Sequence, residues 1–220
     1  MTAGDYFGHK SDGNFDLNVT NIVDLLDAKG LTWKAYQEDY PGGCNPAAVI
    51  GKYYRKHNPF ISFDDVRNNA TRCANIVDLP AFDKDLAAGT LPNYMYLTPN
   101  IDNDAHNTDI AFAGKWLDSW FKTRLLQLPK GTLVVVTWDE DDHTEANKIL
   151  TFMLDPNGAI FSAGTTDNTR YDAYDLLATV EANWNLGDLG RNDAKGKVFK
   201  GLTPQSEQHA APISMDRGVL

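Results

Sequence analysis

Two short stretches concentrate the side chains that can do chemistry. The first is Leu133-Val134-Val135-Val136-Thr137-Trp138-Asp139-Glu140-Asp141-Asp142-His143, an apolar run that stops in four consecutive acids and a histidine. The second is Asp102-Asn103-Asp104-Ala105-His106, downstream of the aromatic stretch Asn93–Thr98. Clustered carboxylates supply the hard oxygen ligands a divalent metal takes, and carboxylates and imidazoles also serve as general acids and bases. A solvated acidic turn has the same composition. Asp139 and Glu140 are adjacent and would point to opposite faces of a regular strand. At the strand's last residues the pleat relaxes, so both can reach one ion. His57 lies in the basic patch Arg55-Lys56-His57, which either greets an anionic substrate or balances nearby acids. His9 and His209 read as surface residues, and His143 is open to either reading.

The elements that must position these groups alternate along the chain. Asn21–Lys29 reads as a short amphipathic helix, capped by Thr20 and ended by Gly30. Leu31–Tyr36 reads as a strand. Pro46–His57 reads as a helix opened by proline and closed before Asn58-Pro59. Phe82–Ala88 reads as a helix and Asn93–Thr98 as a strand. Thr108–Leu128 keeps helical spacing through Ile110, Ala113, Leu117, Trp120, Phe121, Leu125 and Leu128. Leu133–Trp138 and Ile149–Leu154 read as strands, and Tyr171–Trp184 as the last helix. Strands alternating with helices predict an α/β fold with a mostly parallel sheet covered on both faces. In such a sheet the carboxyl ends of the strands share one edge, where sites form, so the two polar clusters are expected to converge.

The 220 residues suffice for one α/β domain, expected over 1–203, with a polar tail at 204–220. The net charge of −10 argues against nonspecific binding to nucleic acid or anionic membrane. It does not exclude a phosphate substrate, since a bound metal reverses the local field. No apolar stretch approaches a membrane span, so integral membrane association is not expected. Cys44 and Cys73 permit one disulfide or two buried thiols. Asn18 and Asn69 each open an N-x-[ST] sequon. The opening Met1–Gly8 has neither the basic nor the apolar region of a signal peptide, and no strand opens the chain.

Several segments together carry a family resemblance. They are Gly4-Asp5-Tyr6-Phe7-Gly8, Asn21–Leu26, Trp33–Glu38, Arg55–Phe63, Thr98-Pro99-Asn100 with Asn103-Asp104-Ala105-His106, Thr137–Asp141 and Leu189–Asp193. In this order they resemble the phosphoesterase family of fungal secreted acid phosphatases and bacterial phospholipase C-like enzymes, with the fungal acid-phosphatase branch the nearer.

The resemblance implies an alkaline-phosphatase-like three-layer α/β/α sandwich and hydrolysis of phosphoric esters, with a small phosphorylated substrate. It places a divalent metal at Asp139 and Glu140 and an active-site histidine at His106, in contact with the phosphoryl group. His57 lies in a motif near the site, and Asn103 and Asp104 in the substrate-binding loop. It further implies secretion, a Cys44–Cys73 disulfide and glycosylation at Asn18 and Asn69.

Relatives begin with a strand carrying an acidic-plus-amide metal pair, then a Ser or Thr nucleophile. Against that pattern the chain is expected to be N-terminally incomplete, lacking the sheet's first strand. Ala173 falls where many relatives carry histidine. The expected activity is metal-assisted hydrolysis of phosphomonoesters. The alternatives are an inactive fragment that binds anions or metal, and a phospholipase C-type phosphodiesterase.

Overall fold

A computed structural model describes residues 1–202 apart from Glu145, Ala159 and Ser162. Its centre is a three-stranded parallel sheet in the order β4 (Ile76–Asp78), β1 (Trp33–Gln37), β5 (Tyr94–Thr98). Alternation along β1 builds a core on each face. Trp33 and Ala35 pack with Ile22, Val23 and Leu26 of α1 (Ile22–Ala28), with Phe60 and Ile61, and with Leu177 of α6 (Ala173–Trp184). Tyr36 faces the other way, onto Phe82 of α4 (Pro80–Ala88) and Leu128. Helices on both faces of a parallel sheet make the architecture mixed α/β, consistent with the expected sandwich.

Local chemistry fixes the element ends. Asn21, not Thr20, caps α1. Its side chain accepts from the Val23 N–H, and the Asp24 carboxylate accepts from the Asn21 N–H at 2.9 Å, closing a capping box. Pro80 opens α4 at a position where a missing N–H costs nothing, and Gly89 closes it at φ 67°. The long amphipathic segment forms α5 (Ile110–Arg124), capped by the Asp109 carboxylate. The segments Asp64–Arg67 and Ala70–Cys73 form short helices, α2 and α3.

Two further expectations are corrected. The segment 46–57 is not a helix. Val49–Ile50 (β2) and Tyr53–Tyr54 (β3) pair as an antiparallel hairpin, and a 3-10 turn at Arg55–His57 follows. Gly51 sits at φ 58°, which glycine adopts at little cost, and the flanking β-branched and aromatic residues favour extended backbone. The short strand β4 escaped the sequence reading.

The third correction concerns the sheet. β6 (Val134–Thr137) pairs antiparallel with β7 (Thr151–Leu154) and, among the described residues, shares no ladder with β5. The two polar clusters therefore do not hang from neighbouring strands of one parallel sheet. The tail at 204–220, and His209 with it, lies outside the described residues.

The Cys44–Cys73 disulfide is present, with Cα atoms 5.8 Å apart, and ties the loop before β2 to α3. No helix among the described residues is long and apolar enough to cross a membrane.

Candidate active site

The site is assembled around Asn100, which is 7 % exposed just beyond the end of β5. Its backbone N–H donates to the Glu38 carboxylate at 2.9 Å, and its side-chain amide donates to Asp39 at 2.7 Å. Its side-chain oxygen accepts from the N–H groups of Asp102 and Asn103, both at 3.1 Å. Asn103 in turn donates its amide to Glu38 at 2.8 Å. One buried amide thus ties the loop after β5 to the end of β1.

This brings Asp104 to a fixed position. Its carboxylate accepts from the His106 N–H at 2.9 Å and meets His57 Nδ1 at 2.8 Å. A carboxylate only accepts when ionised, so His57 carries its proton on Nδ1 and leaves Nε2 for a ligand. The His57 and His106 rings lie 5.3 Å apart between centroids. Lys56 Nζ stands 3.1 Å from His106 Nε2, and His106 Nδ1 stands 3.1 Å from the Asn107 side-chain oxygen. An ammonium has no acceptor, so His106 Nε2 offers Lys56 its lone pair, and the ring proton sits on Nδ1 facing Asn107.

His57 owes its place to a rigid support. Asn58 is fully buried, donating to the Tyr53 hydroxyl at 3.1 Å and accepting from the Ile61 N–H. Phe60 packs between Trp33 and Tyr96, with centroid distances of 5.5 and 5.2 Å. Residues flanking the histidine are thus locked into the core, and the imidazole is presented from a fixed backbone.

The acidic cluster reaches the same region by a different route. Trp138 donates its indole N–H to the Asp104 carbonyl at 3.1 Å, joining the end of β6 to the loop after β5 without a strand ladder. Burial first, then the Asp139 carboxylate, holds the Tyr96 phenol above its ordinary range, which places Asp139 within electrostatic reach of β5. The rest of the acidic run folds on itself. Asp141 and Asn147 bond to each other, Asp142 accepts from Thr144, and His143 donates its N–H to Asp141.

Asp139 and Glu140 are exposed, and Asp139 accepts from the Glu140 N–H at 3.1 Å. Carboxylate oxygens suit a hard divalent cation, but such an ion takes six or more ligands. Among the described residues no group of three His, Cys, Asp or Glu gathers to hold a metal. This pair fits only part of a coordination shell.

The arrangement thus brings His57, His106, Asn103 and Asp104 together. Asn103 and Asp104 spend their side chains on protein partners: Asn103 on Glu38, Asp104 on His57. The sequence reading missed three contributors. Asn100 left its signal as an Asn directly after Pro99 at a strand end. Lys56 lay inside the basic patch, and Trp138 preceded the acids.

The Phosphoesterase family matches residues 5–187. The chain belongs to this family. It is 43 % identical over 213 residues to a probable acid phosphatase of Kluyveromyces lactis, covering 90 % of this chain and 50 % of that protein. It is 40 % identical over 213 residues to an acid phosphatase of Aspergillus fumigatus, covering 90 % and 47 %. It is 34 % identical over 179 residues to a phosphatidylinositol-3-phosphatase of Mycobacterium tuberculosis, covering 78 % and 55 %. The chain thus spans about half the length of these curated relatives.

Proposed function

We propose that this chain is a phosphoric-ester hydrolase domain of acid-phosphatase type, acting on small phosphomonoesters. The observation that carries the reading is the pairing of His57 with His106 beside Asp104, in a chain whose relatives are named acid phosphatases. Hydrolysis replaces the ester P–O bond with a P–O bond from water, and needs donors for the phosphoryl oxygens and a proton for the departing alcohol. In this proposal His106 lies against the phosphoryl group. His57, its Nδ1–H held by Asp104, delivers a proton from Nε2 when the ring is doubly protonated. A divalent ion belongs to the proposal only as a weakly held partner of Asp139 and Glu140, since two exposed carboxylates bind a hard ion poorly.

An extracellular setting is also part of the reading. The disulfide is the kind of crosslink that persists in oxidising compartments. Asn18 and Asn69 are exposed, and Asn69 caps α3 through its oxygen, leaving its amide nitrogen for a glycan.

One observation favours a second reading, anion or metal binding without turnover: the Asp139–Glu140 pair has no third ligand among the described residues. The experiment is hydrolysis of a chromogenic phosphomonoester from acidic to neutral pH, with a phosphodiester probe alongside. Asp139→Ala and a chelator serve as metal controls. Turnover of the monoester alone, weakened in both controls, is expected. A folded protein inert on both esters would leave the binding reading. Preferential turnover of the diester would leave the phospholipase C-type alternative.

A further inference from the structure

The basic run Arg55-Lys56-His57 divides by direction. Arg55 turns inward and is 7 % exposed, donating to the carbonyl of Phe15 at 3.1 Å and pairing with Asp16. Its charge is spent holding the chain together. Lys52, the other cation near the loop after β5, is paired with Asp102 at 2.8 Å, and its side chain is 60 % exposed.

Lys56 is different. Its side chain is only 18 % exposed, its ammonium pairs with Asp12, and it stands 3.1 Å from His106 Nε2. Of its three N–H donors, Asp12 takes one and His106 takes another. Among the described residues nothing takes the third, which is available to a ligand at the edges of the two imidazoles. Asp12 is itself 71 % exposed on its side chain, so a dianion can share or displace it at little cost. In a chain of net charge −10, an anion reaches this spot only if a local cation offsets the field.

We propose that Lys56 is the anion anchor of the site, its ammonium taking one oxygen of a phosphate group seated against the edges of the His57 and His106 rings. The inference rests on the phosphoester reading above and adds a residue to it. The ligand class is a phosphate dianion, either the free product or the ester. Lys56 binds charge and does not move the proton, so its loss weakens affinity more than turnover.

The test is calorimetric titration with inorganic phosphate at low ionic strength, on the wild type, Lys56→Gln, Lys56→Arg and Lys52→Gln. Thermal melts are recorded to show that each variant is folded. A charge-assisted hydrogen bond supports a weakening of about 10- to 100-fold in Lys56→Gln. Lys56→Arg is expected to stay within about 5-fold of wild type and Lys52→Gln to be unchanged, because the effect belongs to charge at one position. With the chromogenic ester, Lys56→Gln is expected to raise KM while kcat stays within about 3-fold.

Phosphate binding that is equal in wild type and a folded Lys56→Gln would overturn the anchor while leaving the hydrolase reading intact. So would Lys56→Arg falling as far as Lys56→Gln. A folded wild type that neither binds phosphate nor turns over the ester would overturn both.

Discussion

Glu181 gives the sharpest stability prediction. It lies in α6, is 3 % exposed, and has one carboxyl oxygen without a hydrogen-bond partner among the described residues. Its neighbour Asp193 is 2 % exposed and accepts backbone N–H groups from Leu189 at 2.6 Å and Arg191 at 3.2 Å. Burial, and then the Asp193 and Asp188 charges, push Glu181 up from 4.5 to about 8. The folded state therefore holds a proton that the unfolded state releases as pH rises through 4.5.

The sign follows by linkage: the unfolded chain binds fewer protons, so Glu181 costs stability increasingly between about pH 4.5 and 8, then levels off. With those two values the cost is about 1 kcal/mol near pH 5 and about 3 kcal/mol near pH 7. Gln at this position keeps a permanent donor toward Asp193 and has no proton to lose. Glu181→Gln is therefore expected to raise stability near pH 7 by about 3 kcal/mol, and near pH 5 by about 1. For a domain of this size that corresponds to a Tm rise of roughly 6–12 °C at neutral pH and about 2–4 °C in acid. Urea unfolding at several pH values, wild type against variant, measures the difference directly. An equal shift at both pH values would refute the protonation argument, and a variant less stable than wild type near pH 7 would refute the burial argument as well.

Two further predictions follow from single contacts. Asp104→Asn keeps the acceptor for the His106 N–H but removes the charge beside His57. It is expected to lower kcat on a chromogenic phosphomonoester by about 10- to 100-fold, with KM little changed, as for loss of one charge-assisted hydrogen bond. Replacing Cys44 and Cys73 by alanine opens a crosslink spanning 29 residues, for which loop-closure entropy gives a loss of about 3–4 kcal/mol. Denaturant unfolding of the double variant, or of wild type under reductant, checks it, and an unchanged midpoint would contradict it.

Much of the scaffold was legible in the chain. α5 follows from the apolar spacing of the segment Thr108–Leu128 and α6 from the segment Tyr171–Trp184, and β1 and β5 from short apolar and aromatic runs ended by turn chemistry. These signals are local, so they survive without knowledge of the fold. The hairpin at 49–54 was misread because its apolar residues recur at a spacing that suits a helix as well, and only pairing across Gly51 decides between them. β4 was missed because three residues carry no periodicity of their own.

The same division runs through the site. Residue types alone marked His57, His106, Asp104, Asp139 and Glu140 as candidates, because carboxylates and imidazoles at strand ends are the groups that can hold charge or protons. Their partnerships were decided in three dimensions. That Asp104 orients His57 across 47 positions of sequence, that Lys56 meets His106, and that Trp138 rather than a strand ladder joins the two clusters all depend on long-range packing. The sequence by itself determined which groups were available. The tertiary structure decided which of them share a proton, a charge or a ligand, because hydrogen bonds and ion pairs act over a few ångströms, and only the fold brings distant segments that close.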